Sequence, residues 1–412
     1  MNIMTLPENT TVEACVYDSF ESLEPTQNQW DAFVESVGCD VFMTYDWQRI
    51  WWKYYGADRL LKIFIFRHNS QLVGIIPLFF EKIRLGFVSM ICGKIVDSDF
   101  SIYAVTLPVC REFLSAVMEN FFTNIRTCDW DALHIGPLAG LYDNFGHILG
   151  LCGRCQQNGF RIKTTVTNIQ TFFLLAASDG QPIEMMSRKQ EKQIRQKYRI
   201  LYEALGGQGK AITSCFSTEA EFEKSFANFV DMHQRHWQKQ NQAGHFGDWP
   251  ASLEFHHEVA LSQLKRGRLR LMEVKTDGQP LGYKYSYKFG DTFVEFLDAR
   301  ADGDHFSRAG LGNIVFYEQL KKAQQEQVRY INSGRGKYEH KLRMGGKFFD
   351  MNNIYIFRNS SVAAARVNIF RVCARLLDIC YYKIWFSRLA PKLALWRRPL
   401  WKLWIRSVAF AT

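Results

Sequence analysis

Two groups of residues have types and spacings that could carry out chemistry. The first is Asp298-Ala-Arg-Ala-Asp-Gly-Asp-His-Phe-Ser-Arg-Ala-Gly310-Leu-Gly312, which leads into a helical pattern over Asn313 to Gln325. A strand runs into a loop, and two glycines stand at the mouth of a helix. Backbone N–H groups there have no helical partner, and the helix dipole adds positive potential. Glycine lets the chain approach a phosphate closely. Ser307, Arg308, Ala309, Gly310, Leu311 and Gly312 are therefore the expected pyrophosphate site; a plain helix-opening turn is the alternative. The second group is the acid pair Glu295 and Asp298, set in the apolar strand Thr292 to Ala299. Burial would raise the pKa of such an acid toward that of a useful general base. Three positions separate the two, so regular alternation points them to opposite faces. Asp298, nearer the exit to the glycines, is the expected base; a solvated edge acid or a salt bridge is the alternative.

Other groups are weaker. Arg188, Lys192, Arg195 and Arg199 share one face of a predicted helix and form either an anion clamp or a solvated linker helix. His233, His236, His256 and His257 complete no familiar ligand spacing, and no metal is expected. Among ten cysteines only Cys152-Gly-Arg-Cys155 has metal or redox spacing, and no second pair completes a zinc site. The cysteines read as buried free thiols in a reducing compartment.

The elements that must position these residues recur. Leu61 to Phe66, a turn at His68-Asn-Ser70 and Leu72 to Phe80 predict a hairpin, followed by a helix over Glu112 to Ile125 and a strand over Ala132 to Ile135. The order returns as Arg268 to Val274, Thr276-Asp-Gly278, Leu281 to Phe289, the strand Asp291 to Ala299, the helix Leu311 to Gln325 and the strand Val328 to Asn332. Gln71-Leu-Val-Gly74 and Gln279-Pro-Leu-Gly282 stand at equivalent points, 208 residues apart. The expectation is an α/β chain of two tandem units, each a mixed sheet flanked by helices. The boundaries are 28–180 and 185–358, with a basic tail over 359–412.

With 412 residues, 47% apolar and 15% aromatic, the chain has enough apolar sequence for two such cores, and disorder is excluded as its main state. No uncharged apolar run is long enough to span a bilayer, and Met1 to Phe20 does not read as a signal peptide. The net charge of +10 is concentrated: from Ser361 onward ten Lys or Arg stand against Asp378 alone. The body is thus nearly neutral, and nucleic acid is not expected as a partner. The tail combines an apolar helical face with Trp396, Trp401, Trp404, Arg397, Arg398, Lys402 and Arg406. That mixture suits the surface of an anionic bilayer; packing on its own body or on another subunit is the alternative.

The segment Ser307 to Gly312 resembles the acyl-CoA loop of the GNAT acyltransferase superfamily, Gln/Arg-x-x-Gly-x-Gly/Ala, and departs from it at Ser307. Phe42-Met-Thr-Tyr-Asp-Trp47, Trp51-Trp52 and Leu72-Val-Gly-Ile-Ile-Pro77 are similar to the N-terminal half of CelD-type acyltransferases, within the FemAB-like group of paired GNAT domains. Ser187 to Arg195, Arg235-His-Trp237 and Gly334-Arg-Gly-Lys-Tyr-Glu-His-Lys341 are similar to the C-terminal half. The resemblance implies an acyl donor, acetyl-CoA or another acyl-CoA, bound by the second unit, and a backbone N–H at a splay in the central strand as oxyanion donor. It places Tyr338 as acid for the leaving thiolate, His340 as a second candidate base, and Lys341 as a substrate-binding residue beside Arg188, Lys192 and Arg195. The implied reaction is N- or O-acylation, with acetyl the expected group, of a sugar or polysaccharide intermediate, by a cytoplasmic enzyme held peripherally at the inner membrane face. The alternatives are a FemAB-like aminoacyl-tRNA-dependent transferase acting on peptidoglycan precursors, and a non-catalytic scaffold of a polysaccharide synthase.

Overall fold

The computed structural model describes residues 11–85, 87–98, 106–139, 159–176, 180, 183, 186–206, 212–276 and 278–399. The strands in chain order are β1 (Glu13–Tyr17), β2 (Leu60–His68), β3 (Gln71–Leu85), β4 (Val88–Ile95), β5 (Ala132–Ala139), β6 (Phe160–Leu174), β7 (Ile212–Cys215), β8 (Leu269–Thr276), β9 (Gln279–Phe289), β10 (Thr292–Arg300), β11 (Tyr330–Arg335) and β12 (Lys347–Arg358). Packing divides the chain into two units. One takes the chain up to Ile169 together with Phe349–Leu389; the other takes Gln170–Phe348 and Ala390–Arg398.

Each unit is a mixed sheet flanked by helices, and the two follow one plan. In the first, β1–β2–β3–β4 are antiparallel neighbours, β4 runs parallel to β5, and β12 closes the order antiparallel to β5. In the second, β7–β8–β9–β10 are antiparallel, β10 is parallel to β11, and β6 lies antiparallel to β11. The sixth position of the first sheet is thus filled by β12, and that of the second by Gln170–Leu174 at the end of β6. β12, expected to end the second domain, runs in the sheet of the first unit.

The repeat extends to individual residues. Phe66 faces Gly74 in one hairpin and Val274 faces Gly282 in the other, and each ladder shifts register immediately after that pair. A Cβ on Gly74 would lie 3.2 Å from Val117 Cγ1, and one on Gly282 would lie 2.9 Å from Val315 Cγ2. In both units the missing side chain lets the helix between the fourth and fifth strands, Leu114–Ile125 or Leu311–Gln325, sit directly on the third strand.

Helix Ser361–Leu377 belongs to the first unit: Val367, Phe370 and Ala374 pack against Ile83, Met90, Cys92 and Tyr355. Its opposite side leaves Val362, Ile369, Val372 and Leu376 exposed. These positions follow one another by seven, three and four residues, so they form one stripe. Trp401, Lys402, Trp404 and Arg406, like Cys152 and Cys155, lie outside the described residues.

Candidate active site

The site forms where β10 leaves its parallel neighbour. β10 and β11 pair only from Thr292–Tyr330 to Val294–Asn332, whereas β10 stays paired with β9 as far as Arg300–Gly282. Beyond Val294 the two parallel strands run on without pairing, as the expected splay requires. The ladder with β9 also shifts: Glu295 faces Ser286, Leu297 faces Tyr285, and Phe296 is an extra residue. This bulge cancels the alternation. Asp298 faces Lys284, and Lys284 and Ser286 lie on one face of β9, so Glu295 and Asp298 share a face. The expectation that only one of them could point to the acceptor is corrected by this one inserted residue.

Charged groups converge on that face. Lys284, 4% exposed, forms an ion pair with Glu295 and lies 3.9 Å from an oxygen of Asp298. Ser333 Oγ donates to Glu295 Oε2 at 2.6 Å, and Lys341 Nζ donates to the Ser333 carbonyl. Burial lowers the Lys284 pKa, but the Glu295 and Asp298 carboxylates outweigh it and raise the ammonium above its usual range. The surrounding protein partly desolvates Asp298, whose side chain is 58% exposed, and would raise its carboxyl; Lys284, with Arg300 among the other positive neighbours, outweighs this and holds the carboxyl below the ordinary range. The expected upward shift of this acid is therefore reversed, and Asp298 is a carboxylate at neutral pH. Desolvation and the neighbouring Lys341 lower His340, which leaves a neutral imidazole. Tyr338 stacks on His340 with ring centres 5.6 Å apart, and Lys341 lies over the Tyr338 ring. Glu295, Asp298, His340 and Lys341 thus feel one another, with Tyr338 at the margin and 53% exposed.

The glycine segment is more ordered than a loop. Ser307, Arg308 and Ala309 end a short helix, Asp304–Ala309; Gly310 is a left-handed joint at φ +66°; the next helix starts at Leu311. Glycine is the residue that adopts this joint without strain. Two cations lie over it. A Cβ on Gly310 would collide with Lys197 Nζ, and one on Gly312 would stand 2.8 Å from Arg300 Nη1. Lys197 has no carboxylate partner among the described residues, and burial lowers its pKa. Bare backbone, a helix start and two ammonium or guanidinium groups fit a pyrophosphate.

Arg188, Lys192, Arg195 and Arg199 are not brought to this place. They lie on the exposed side of helix Arg188–Ala204, where Arg195 pairs with Glu191 and Arg199 with Glu203, each at 3.5 Å. The helix contributes Lys197, which lies between the buried Ile194 and Leu201. Sequence reasoning passed over Lys197, Arg300, Lys284 and Ser333. A signal for Lys284 was present: a lysine between Tyr283 and Tyr285, in the middle of a strand of strong β-formers, calls for a buried counter-charge. No group of three His, Cys, Asp or Glu that could hold a metal occurs among the described residues. No helix among them is long and apolar enough to cross a membrane.

Residues 188–342 match the family described as an acetyltransferase (GNAT) domain. That stretch contains Lys197, Lys284, Glu295, Asp298, Gly310, Gly312, Ser333 and Lys341, and it is a GNAT-type acyltransferase domain. Among solved structures the chain is similar to FemX, with a TM-score of 0.55 and 11% identity over 83% of this chain and 98% of that one. It is also similar to a conserved protein of unknown function from Bacteroides thetaiotaomicron VPI-5482, with a TM-score of 0.50 and 12% identity over 80% and 96% of the two chains. At these identities the likeness is one of fold. No curated protein matches the chain.

Proposed function

We propose that this acyltransferase takes its acyl group from an acyl-CoA, acetyl-CoA being the first choice, and passes it to an amine or hydroxyl of a sugar or polysaccharide intermediate. The observation that carries the donor assignment is the joint at Gly310 and Gly312, overlain by Lys197 and Arg300, at the exit of the strand that holds Glu295 and Asp298. Pyrophosphate bound there places the thioester arm along the opening between β10 and β11. The acceptor nitrogen or oxygen attacks the thioester carbonyl and gives its proton to Asp298; the neutral His340 is the second base within the same cluster. A backbone N–H at the bulge faces the developing oxyanion. The leaving thiolate takes a proton from Tyr338, and Lys341 lends positive charge.

Gly312→Val tests the donor. The added Cβ meets only the end of the flexible Arg300 side chain, so the fold has room for it while the cation is displaced and the backbone covered. The variant should melt close to the wild type alone and lose the stabilisation that acetyl-CoA gives the wild type. Unchanged affinity for acetyl-CoA in calorimetry removes the pyrophosphate site from Gly312; affinity for aminoacyl-tRNA instead would favour the tRNA-dependent reaction.

The acceptor is reached at a membrane surface in this reading. The apolar stripe Val362, Ile369, Val372 and Leu376 is followed by Lys383 and Arg388, and Phe87, 93% exposed, tips the hairpin whose strands support the same helix. Each basic residue near anionic lipid contributes about 1 kcal/mol. Lys383→Gln with Arg388→Gln should therefore weaken sedimentation with phosphatidylserine vesicles by roughly 30-fold, and added salt should weaken the wild type. Substitution is the appropriate test, because deletion from residue 359 would strip Val367, Phe370 and Ala374 from the core. Full-length protein that ignores such vesicles at low salt leaves the stripe to a protein partner.

A further inference from the structure

Behind the bulged strand lies a histidine that the chemistry described above does not use. His233, on helix Glu219–Gln238, is 4% exposed and packs against Phe229 and Phe246. Its two ring nitrogens are fully committed. Trp237 Nε1, which can only donate, stands 3.0 Å from His233 Nε2. Nε2 must therefore carry a lone pair, and the ring proton is on Nδ1. Nδ1 lies 2.8 Å from the backbone carbonyl oxygen of Asp298 and donates to it. His245 Nδ1, 3.0 Å from the same Nε2, is the second donor to that lone pair. These partners set the tautomer. In the same aromatic layer, where Phe246 touches both histidines, His256 packs its ring 5.3 Å from that of Phe296.

A bulge is a place where the ladder no longer dictates the backbone. Phe296 is the inserted residue at which the ladder with β9 shifts register, and the ladder with β11 has already ended at Val294. The segment that presents Glu295, Phe296 and Asp298 is thus held on one edge only, and His233 is the side chain that ties it from behind.

We propose that His233 is a positioning residue for acyl transfer: its Nδ1–H anchors the Asp298 carbonyl and so fixes the bulged segment of β10 in the geometry that the acceptor and thioester require. The inference rests on the acyl-transfer reading of that strand. It assigns His233 no contact with substrate and no proton transfer.

Two substitutions separate anchoring from packing. In His233→Asn the amide nitrogen takes the place of Nδ1 and can still donate to the Asp298 carbonyl. In His233→Gln the amide reaches the region of Nε2 and leaves that carbonyl without its donor. Gln is nearer to His in reach, so packing alone would make it the milder change. The Trp237 donor keeps no imidazole acceptor in either variant, so a loss shared by both measures stability, and a loss confined to Gln measures positioning. The assay is thiol release from acetyl-CoA, with hydroxylamine as a small acceptor. His233→Gln should lose about 10²-fold in kcat with the KM for acetyl-CoA unchanged, while His233→Asn stays near the wild type. Equal losses in the two, or a Gln variant more active than the Asn variant, overturn the proposal. Wild-type protein that neither binds acetyl-CoA nor releases thiol counts against the acyl-transfer reading instead. The anchor is then decided by 15N NMR of the full chain, in which His233 should be the neutral Nδ1–H form at neutral pH. An Nε2–H tautomer, or a charged ring, overturns it.

Discussion

Asp298→Asn is expected to lower turnover by ~10²–10⁴-fold while acetyl-CoA binding changes little. The substitution preserves size and the backbone carbonyl that His233 holds, and removes only the charge. Asp298 can receive the acceptor's proton because its side chain is 58% exposed on the face shared with Glu295, beside the splay. The sign of its pKa shift defines a second measurement. A carboxyl held below its ordinary range by Lys284 stays ionised to lower pH than a free one, so the base is in its proton-accepting form throughout neutral pH. The acid limb that this base contributes to kcat/KM should lie below the usual carboxylate range, ~4. A limb of imidazole type that vanishes in His340→Gln moves the role to His340. Near-normal turnover in Asp298→Asn leaves Glu295, His340 or no enzymic base.

The sequence and the folded site differ at identifiable points. The two hairpins were legible because strand, turn and glycine recur in the same order, and Gly74 and Gly282 recur for a packing reason that a sequence carries faithfully. Helix Leu311–Gln325 and strand β10 were legible from periodicity and from the glycines between them. The shared face of Glu295 and Asp298 was not, because one bulged residue reverses strand parity and no residue type announces it. Lys197 was missed for a related reason. A helix that displays arginines to solvent at Arg188, Arg195 and Arg199 suggests a basic stripe, whereas the cation that matters emerges between the buried Ile194 and Leu201. The closing of the first sheet by β12 and of the second by the end of β6 was equally out of reach, because only the folded pairing decides which sheet each segment completes.

Lys284→Met should destabilise the second unit by about 3–5 kcal/mol, the usual cost of removing one partner of a buried ion pair. Lys284 is 4% exposed and the Glu295 side chain 13%, so water cannot replace the lost ammonium fully. Ser333 would still donate to Glu295, but one hydroxyl does not neutralise a carboxylate. The melting temperature should fall by roughly 10 °C. The pH dependence follows from the two shifts. Asp298, lowered on folding, contributes stability above its unfolded pKa and loses it as pH falls through the folded value. Lys284, raised on folding, contributes below its unfolded pKa and loses it as pH rises through the folded value. The difference between wild type and variant should therefore be broad across neutral pH and shrink toward the acid side. Pairing Lys284→Met with Glu295→Leu removes both charges, and most of the lost stability should return while turnover does not. A single variant as stable as the wild type, or a double variant no better than the single, would show that the Lys284–Glu295 pair does not hold this face of β10 together.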